Sequence, residues 1–464
     1  MSARKQSIGL TRLACYAATV SQGVMVNIAP ILFIPLRGLY GLSYEQMGLL
    51  VLLNFTTQII SVLLLGPWVD RLGFRRLAVI GPILTMLGFG IFASAAFGGH
   101  AFGLLAGGSV TFSMAAAMTE LTCSPIVNAL PSQQKGADMS LLHSMFAWGQ
   151  VGAIVGTTLI LRLIGNENWW VIVLGWQLLP LTCCALFSRC YIPPTVLKAQ
   201  TAERRAGVDE FAEKQARAVE PGGKRAKLAI LGRRQWIAFA CVMGLMVTAG
   251  AAEMVMGQWA SVFMERGLAL PKLWGDLLGA SAFGLMMGMG RLWYAWAGRE
   301  RQGKKGLTVN GLSPKNAPKK QSHSLARVVG LSGGITALCY LVAVVSPWPW
   351  LSMVACGGCG LCVSLIWPGT FVLATERFPK AGTWLFAAMT AAGNIGCALG
   401  PWLTGVVAEA APRWVSAQGS LDAEQLGLRL GLMVGVVFAL PAVFFARRLR
   451  KSRAEGTASR APRG

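Results

Sequence analysis

Long apolar runs, separated by polar segments, make up most of the chain. About 20 apolar residues in a helix span the hydrocarbon core of a bilayer, so each run can cross a membrane. Twelve runs reach this length: residues 10–36, 44–69, 77–97, 101–130, 139–163, 170–192, 236–264, 274–297, 328–346, 350–375, 383–411 and 426–446. Six precede and six follow a polar segment. The pattern predicts an all-α membrane protein with about twelve transmembrane helices in two six-helix bundles.

The predicted bundles occupy residues 1–192 and 236–446, with a linker at 193–235 and a basic tail at 447–464. Around residues 199–219 the linker has the pattern of an amphipathic surface helix, but it lacks the length and apolar residues of a regulatory domain. The first apolar run lacks a small-residue cleavage site, so it reads as a retained span.

Composition supports a membrane protein. Of the 464 residues, 54% are hydrophobic and only 13% are charged, well outside the range of soluble domains. A net charge of +23 would suit nucleic-acid binding, but the cations are confined to loops and tails. We therefore expect a lipid bilayer and no nucleic acid as a partner.

The placement of the cations predicts the topology. With a cytoplasmic N-terminus, 36 of the 42 Lys and Arg residues lie on the cytoplasmic side. Loops on that side carry an excess of Lys and Arg. The bias predicts a multi-pass protein of the cell membrane whose termini, linker and long loop at residues 302–324 are cytoplasmic. The basic tail suits contact with the anionic inner leaflet.

A short charged turn follows the second run, and its charges and glycines have a defined spacing. It holds Gly66, Asp70, Arg71, Gly73, Arg75 and Arg76. This spacing resembles the loop signature of the major facilitator superfamily. The resemblance implies two six-helix bundles with a substrate cavity between them and transport by alternating access.

The resemblance also implies a conformational switch in this turn. Asp70 would accept hydrogen bonds from the start of the eleventh span near Thr383, with Arg377 as a possible charge partner. The corresponding segment of the second half, residues 288–299, keeps glycines and arginines but has no acid where Asp70 would stand. The switch is therefore expected to operate from the first half.

Two acids lie inside predicted spans and away from the span ends, Glu120 in the fourth and Glu253 in the seventh. An ionised carboxylate at the centre of a membrane helix costs at least ~2.5 kcal/mol on insertion scales, so such a group usually faces water or a partner. A carboxyl that alternates between protonated and hydrated states can carry protons. Both acids are therefore proton-coupling candidates; the alternative for Glu120 is a neutral acid bonded to a neighbouring helix.

Three segments, residues 120–131, 140–149 and 367–371, resemble the fucose–proton symporter branch of the superfamily. That resemblance implies uptake of a sugar or polyol with protons, and it assigns the proton to Glu120. The chain departs from the branch at Asn27, where the first span carries no acid, and at His143, where the branch has Gln. Uptake of fucose itself is therefore not expected.

Polar and aromatic side chains inside the spans are candidates for the substrate cavity. Amides can bind sugar hydroxyls, and an aromatic face can stack on a sugar ring. The candidates are Asn27, Asn128, His143, Trp148, Gln258, Trp259 and Asn394. The alternatives are interface anchoring for the tryptophans and helix–helix hydrogen bonding for a lone intramembrane Asn.

Other functional classes have little support. Cys356, Cys359 and Cys362 are spaced like metal ligands but are surrounded by glycines, which favours close helix packing. The sequence has no nucleophile elbow or phosphate loop, so we expect neither an enzyme nor a cofactor or metal. The leading function is proton symport of a small polar solute by a monomer. The alternative is proton-driven efflux of amphipathic compounds.

The topology can be tested at Gly311, in the long basic loop. We expect Gly311→Cys to react with a membrane-impermeant thiol reagent only after cells are permeabilised. The wild-type protein, with its eleven native cysteines, is the control for background labelling. Labelling of the variant in intact cells would reverse the predicted orientation.

Overall fold

A computed structural model describes residues 2–131, 135–192, 233–293, 320–378, 382–414 and 422–458. These residues form helices joined by short turns, and no strand occurs among them. The predicted all-α class is confirmed. Most of the predicted linker, and residues 302–319 of the basic loop, lie outside the described residues.

Twelve helical stretches follow one another along the described chain, and we number them α1–α12. Their bounds are α1 Ser2–Ile31 with Phe33–Tyr40, α2 Tyr44–Leu65, α3 Phe74–Ser94, α4 Ala101–Ala129, α5 Lys135–Ile164, α6 Trp169–Gly175 with Leu178–Arg189, α7 Arg233–Val262, α8 272–293, α9 Lys320–Val345, α10 Pro349–Val363 with Ile366–Arg377, α11 Gly382–Trp414 and α12 Ala423–Ala458. Ten are single spans by length and hydropathy, and the two parts of α1 form an eleventh that is bent by 43°.

The remaining stretch, α8, is interrupted by a π-helical segment at Gly275–Ser281. Another π-helical segment, Phe263–Gly267, extends α7. π-helical turns in α-helices are frequent at functional sites. Here the two segments face each other, since Met264 of the first lies against Gly275 and Gly279 of the second. The predicted twelve spans are therefore matched by eleven recognisable spans and one interrupted helix.

The first and second sets of six helices repeat one close helix contact. In the first set, Gly23 of α1 and Gly149 of α5 place the two backbones against each other. In the second set, Gly250 of α7 and Gly396 of α11 do the same. Small residues permit this approach, and dispersion contacts then hold the helices together in a membrane. The repetition fits the six-plus-six pattern of the apolar runs.

The two sets also contact each other, through α2 with α11 and α5 with α8. We call the side of the turns at residues 41–43, 165–168 and 268–271 the far side, and the side of the chain ends the near side. Tyr44 at the far end of α2 bonds Glu409 of α11, and Thr158 near the far end of α5 bonds Asp276. The two sets of helices are therefore joined at the far side.

The glycine contact in α5 generates a prediction about stability. Gly149→Leu should lower the free energy of unfolding by ~1–3 kcal/mol, because the added side chain meets the backbone of Val20. Gly152→Leu is the matched control, since no other group lies within 4 Å of a Cβ built there. Thermal unfolding in detergent measures both variants. Equal losses would contradict the close contact.

Candidate functional site

An ion pair lies in the interior of the second set of helices. Nη2 of Arg291 (α8) donates to both carboxylate oxygens of Glu253 (α7), at 2.8 and 2.7 Å. Glu253 is buried, and the side chain of Arg291 is 18% exposed. Pairing offsets much of the cost of placing these charges among apolar helices. Arg291 was missed as a site residue, although an arginine inside a predicted span is itself a signal.

Glu120, the other intramembrane acid, lies in a different environment. It is half-buried in α4, and it forms no ion pair or hydrogen bond within the described part of the chain. Cys397 of α11 interacts electrostatically with Glu120 and also with Glu253 and Arg291. The structure thus places the two predicted acids around Cys397, one paired with a cation and one without a partner in the described chain.

His143 borders this region from α5. Its imidazole is exposed, yet it lies within electrostatic range of Arg291 across the interface. Nearer the far side, Gly288 of α8 lies against Ala147 of α5, and Gly284 against Val151. The packed seam between α5 and α8 therefore ends at the exposed His143 and the partly exposed Arg291, and we call the space beside these two side chains the cleft.

A cluster of buried amides lies above this cleft, toward the far side. Asn27 of α1 donates to the carbonyl oxygen of Gly23 at 2.8 Å and accepts from Nε2 of Gln258 of α7 at 3.2 Å. Oε1 of Gln258 and both polar atoms of Gln150 (α5) have no partner in the described residues. Gln150 was missed because one amide in an apolar run gives no local signal. These free donors and acceptors can bind water or hydroxyl groups.

The remaining predicted cavity residues are placed differently. Trp259 is buried between Phe33 and Tyr44, with ring centroids 5.5 and 6.0 Å away. Its indole N–H donates to the carbonyl oxygen of Pro401 at 3.0 Å, so it packs in the far-side contact. Trp148 is exposed on the α5 surface that also exposes Leu141 and Leu159, as a lipid-facing stripe would.

Two predicted asparagines complete the set. Asn394 is half-buried in α11 and forms no hydrogen bond among the described residues. The side chain of Asn128 lies outside the described residues, although its backbone belongs to α4. Their proposed role in a cavity stays a prediction.

A buried carboxylate organises the far-side closure. Asp276 accepts hydrogen bonds from Thr158 of α5 at 2.6 Å and from Ser261 of α7, and it pairs with Lys272 at 3.1 Å. Lys272 also donates to the carbonyl oxygen of Ile31 in α1, at 3.2 Å. Four helices from both sets thus meet at one fully buried charge.

A second polar cluster closes the same side between α2 and the last two helices. The backbone N–H of Tyr44 donates to Glu409 of α11 at 2.9 Å, and its hydroxyl donates to Glu424 of α12. The guanidinium of Arg37 lies 4.1 Å from the centre of the Tyr44 ring and 3.7 Å from Glu424. These are polar contacts, which water can replace if the helices separate.

The signature turn lies at the near side, between α2 and α3. It consists of a 3-10 turn, Gly66–Trp68, and a short helix, Val69–Leu72. Gly73 then has φ +83°, a conformation that favours glycine. By contrast, the backbone of Gly66 has a right-handed helical conformation, and a Cβ there would meet open space.

The arginines of the turn have separate environments. Arg75 donates to the carbonyl oxygens of Phe187, Ser188 and Cys190, which end α6 without helical partners. Arg76 is exposed, and Arg377 donates to the carbonyl oxygen of Leu449 in α12. The side chains of Asp70, Arg71 and Thr383 lie outside the described residues, so the switch stays a prediction.

A family model, the Major Facilitator Superfamily, matches residues 14–313. The chain belongs to the Major Facilitator Superfamily. No curated protein matches the chain. The resemblance to the fucose–proton symporter branch therefore stays a prediction, whereas the superfamily itself is confirmed.

Two solved structures of one protein are similar to this chain. They are crystal structures of a bacterial homologue of the human lysosomal transporter Spinster, inward-facing and either occupied or unoccupied. Each has 14% sequence identity and a TM-score of 0.66 over 97% of this chain and 98% of that one. At this identity the likeness concerns the fold alone.

The far-side closure can be tested at Asp276. Asp276→Asn keeps the size of the side chain but removes the charge that pairs with Lys272, so the far side should open more readily. We expect a shift of about 1.5–3 kcal/mol toward the open arrangement, as for loss of a hydrogen bond to a charged group. Spin labels are placed at the exposed positions Asn166 and Trp274. In the variant, long distances between the two labels should be more populated than in the wild-type protein.

The matched control is Asp422→Asn, which removes one exposed carboxylate at the start of α12. It should leave the distance distribution unchanged. An identical distribution for Asp276→Asn and wild type would show that the buried carboxylate does not hold the far side closed.

Proposed function

We propose that this superfamily member moves a small polar solute together with protons, by alternating access of its two six-helix bundles. A sugar or polyol is the favoured class, because three segments resemble the fucose–proton symporter branch. The bundles are residues 1–192 and 236–446, and the near side is cytoplasmic. The cation asymmetry along the chain supports this orientation.

The observation that carries proton coupling is the environment of Glu120. Glu120 is half-buried within a membrane helix, interacts electrostatically with Cys397 of the other bundle and has no cation partner among the described residues. While the cleft is open, water can stabilise the ionised form. When the bundles close over the cleft, that water is lost and the neutral form is favoured. Glu120 therefore takes up and releases a proton as the cleft changes its access.

Glu253 has an assisting part in this mechanism. Both of its oxygens accept hydrogen bonds from Arg291, so Glu253 becomes available for another contact only when that pair separates. The amides of Asn27, Gln150 and Gln258 bind hydroxyl groups of the solute, because their free donors and acceptors lie between the bundles. The far-side contacts must break for the solute to reach these groups from outside.

Glu120→Gln tests the proton carrier. Gln has the size of the protonated acid but cannot release a proton, so accumulation driven by a pH gradient should fall to background. Solute binding and exchange should remain. The measurement uses proteoliposomes with the far side acidic and a labelled solute that stabilises the wild-type protein in a thermal-shift screen.

Glu45→Gln is the matched control, since Glu45 is exposed at the far side at the start of α2. It should accumulate solute like the wild type. Accumulation by Glu120→Gln with unchanged dependence on pH would assign Glu120 a structural role. Accumulation only with the near side acidic would indicate efflux.

A further inference from the structure

The guanidinium of Arg291 has hydrogen-bonding capacity that its partner does not use. Glu253 binds only Nη2, although it does so with both oxygens. Nε and Nη1 donate to no group in the described part of the chain, and neither nitrogen is buried. Two charged donors of one planar group are therefore open to the cleft. A planar fork of this kind matches the oxygens of an oxyanion.

The position of these donors favours a ligand that contacts both bundles. The seam between α5 and α8 is packed from Thr158 and Asp276 down to Ala147 and Gly288. One turn further toward the near side, it ends at His143 and Arg291. The exposed imidazole of His143 forms no hydrogen bond in the described chain, so it can donate to the same anion. An oxyanion here would bridge α5 and α8 where the seam opens.

The charges around this position determine what accompanies the anion. The ionisable groups are Glu120, Glu253, His143 and Arg291, and the charges of Arg291 and Glu253 already cancel. With Glu120 ionised, the cluster carries one net negative charge before the anion binds. If Glu120 takes up a proton as a monoanion binds, that net charge does not change. Anion and proton then move together without net charge.

We propose that Arg291 and His143 bind the carboxylate of a hydroxylated organic acid. The buried amides of Asn27, Gln150 and Gln258, which lie closer to the far side by two turns of α8, bind its hydroxyl groups. This inference rests on the proposed proton symport and narrows the polar solute from a sugar or polyol to a sugar acid. The carboxylate is favoured over phosphate, since a dianion needs a second compensating proton.

The test compares matched pairs that differ in the carboxylate alone. D-Gluconate against sorbitol, and lactate against 1,2-propanediol, are titrated into the purified wild-type protein, with glucose 6-phosphate as the phosphate probe. We expect each acid to bind at least about tenfold more tightly than its neutral partner, as one charge-assisted bond allows. Arg291→Gln should abolish this preference.

Arg291→Gln leaves Glu253 unpaired, so the variant can fail to fold. The double variant Glu253→Gln with Arg291→Gln removes both charges and should fold, yet it should also lose the preference for the acids. Arg327→Gln is the control, since Arg327 is exposed on α9. Equal binding of acid and neutral partner, retained preference in the double variant, or tighter binding of glucose 6-phosphate would overturn the proposal.

Transport separates this inference from the proposed function. For gluconate, a pH gradient should drive accumulation, and a potassium diffusion potential of either sign should leave it unchanged. If a pH gradient drives accumulation of sorbitol but not of gluconate, the proposed proton symport is supported and the anion site is refuted. Binding of gluconate that depends on Arg291, with no response to a pH gradient, would retain the anion site and refute proton symport.

Discussion

Hydrocarbon offers no hydrogen bonds and stabilises no charge, and this constraint governs every polar feature of the helices. A charge in the membrane interior must be paired, hydrated or neutralised. The protein meets the first condition twice, since Arg291 pairs with Glu253 and Lys272 pairs with Asp276. Glu120 is half-buried and has no partner among the described residues, so hydration and neutralisation remain for it. The proposed mechanism alternates between these two conditions.

The seam between α5 and α8 joins the two charged regions. At its far end Asp276 is fully buried among partners from α5, α7 and α8, whereas Arg291 at the other end keeps part of its surface open. The helices between them pack through small residues at Ala147, Gly284 and Gly288. Close-packed surfaces change between discrete arrangements and do not deform continuously. A displacement of α5 against α8 at one end of the seam therefore also displaces the two helices at the other end.

Most of the fold could be predicted from the sequence, because a membrane span is a local property. The apolar runs predicted the eleven recognisable spans and also α8. The π-helical segment at Gly275–Ser281 interrupts α8, so α8 is harder to recognise as a span in the structure. The signature turn identified the superfamily because its spacing is local too. The acids Glu120 and Glu253 were also found by position alone.

The partners of these acids could not be predicted, since pairing depends on helices distant in sequence. Arg291 lies 38 residues from Glu253, and Thr158 lies 118 residues from Asp276. Gln150 looks like any polar residue in an apolar run until α7 and α8 bury it. Trp259 illustrates the opposite case: an aromatic beside an amide suggested a sugar platform, but Phe33 and Tyr44 enclose it.

The difference between the two acids finally bears on the order of events in a proton-coupled cycle. Glu253 has a guanidinium in contact with both of its oxygens, whereas Glu120 has no partner among the described residues. If a solute oxyanion binds Arg291, it weakens the contact of Arg291 with Glu253 and adds negative charge between the two sets of helices. In the proposed mechanism, both effects would favour uptake of a proton by one of the two acids. Solute binding would then raise the affinity for the proton, and by reciprocity proton binding would raise the affinity for the solute, which is the thermodynamic requirement for symport.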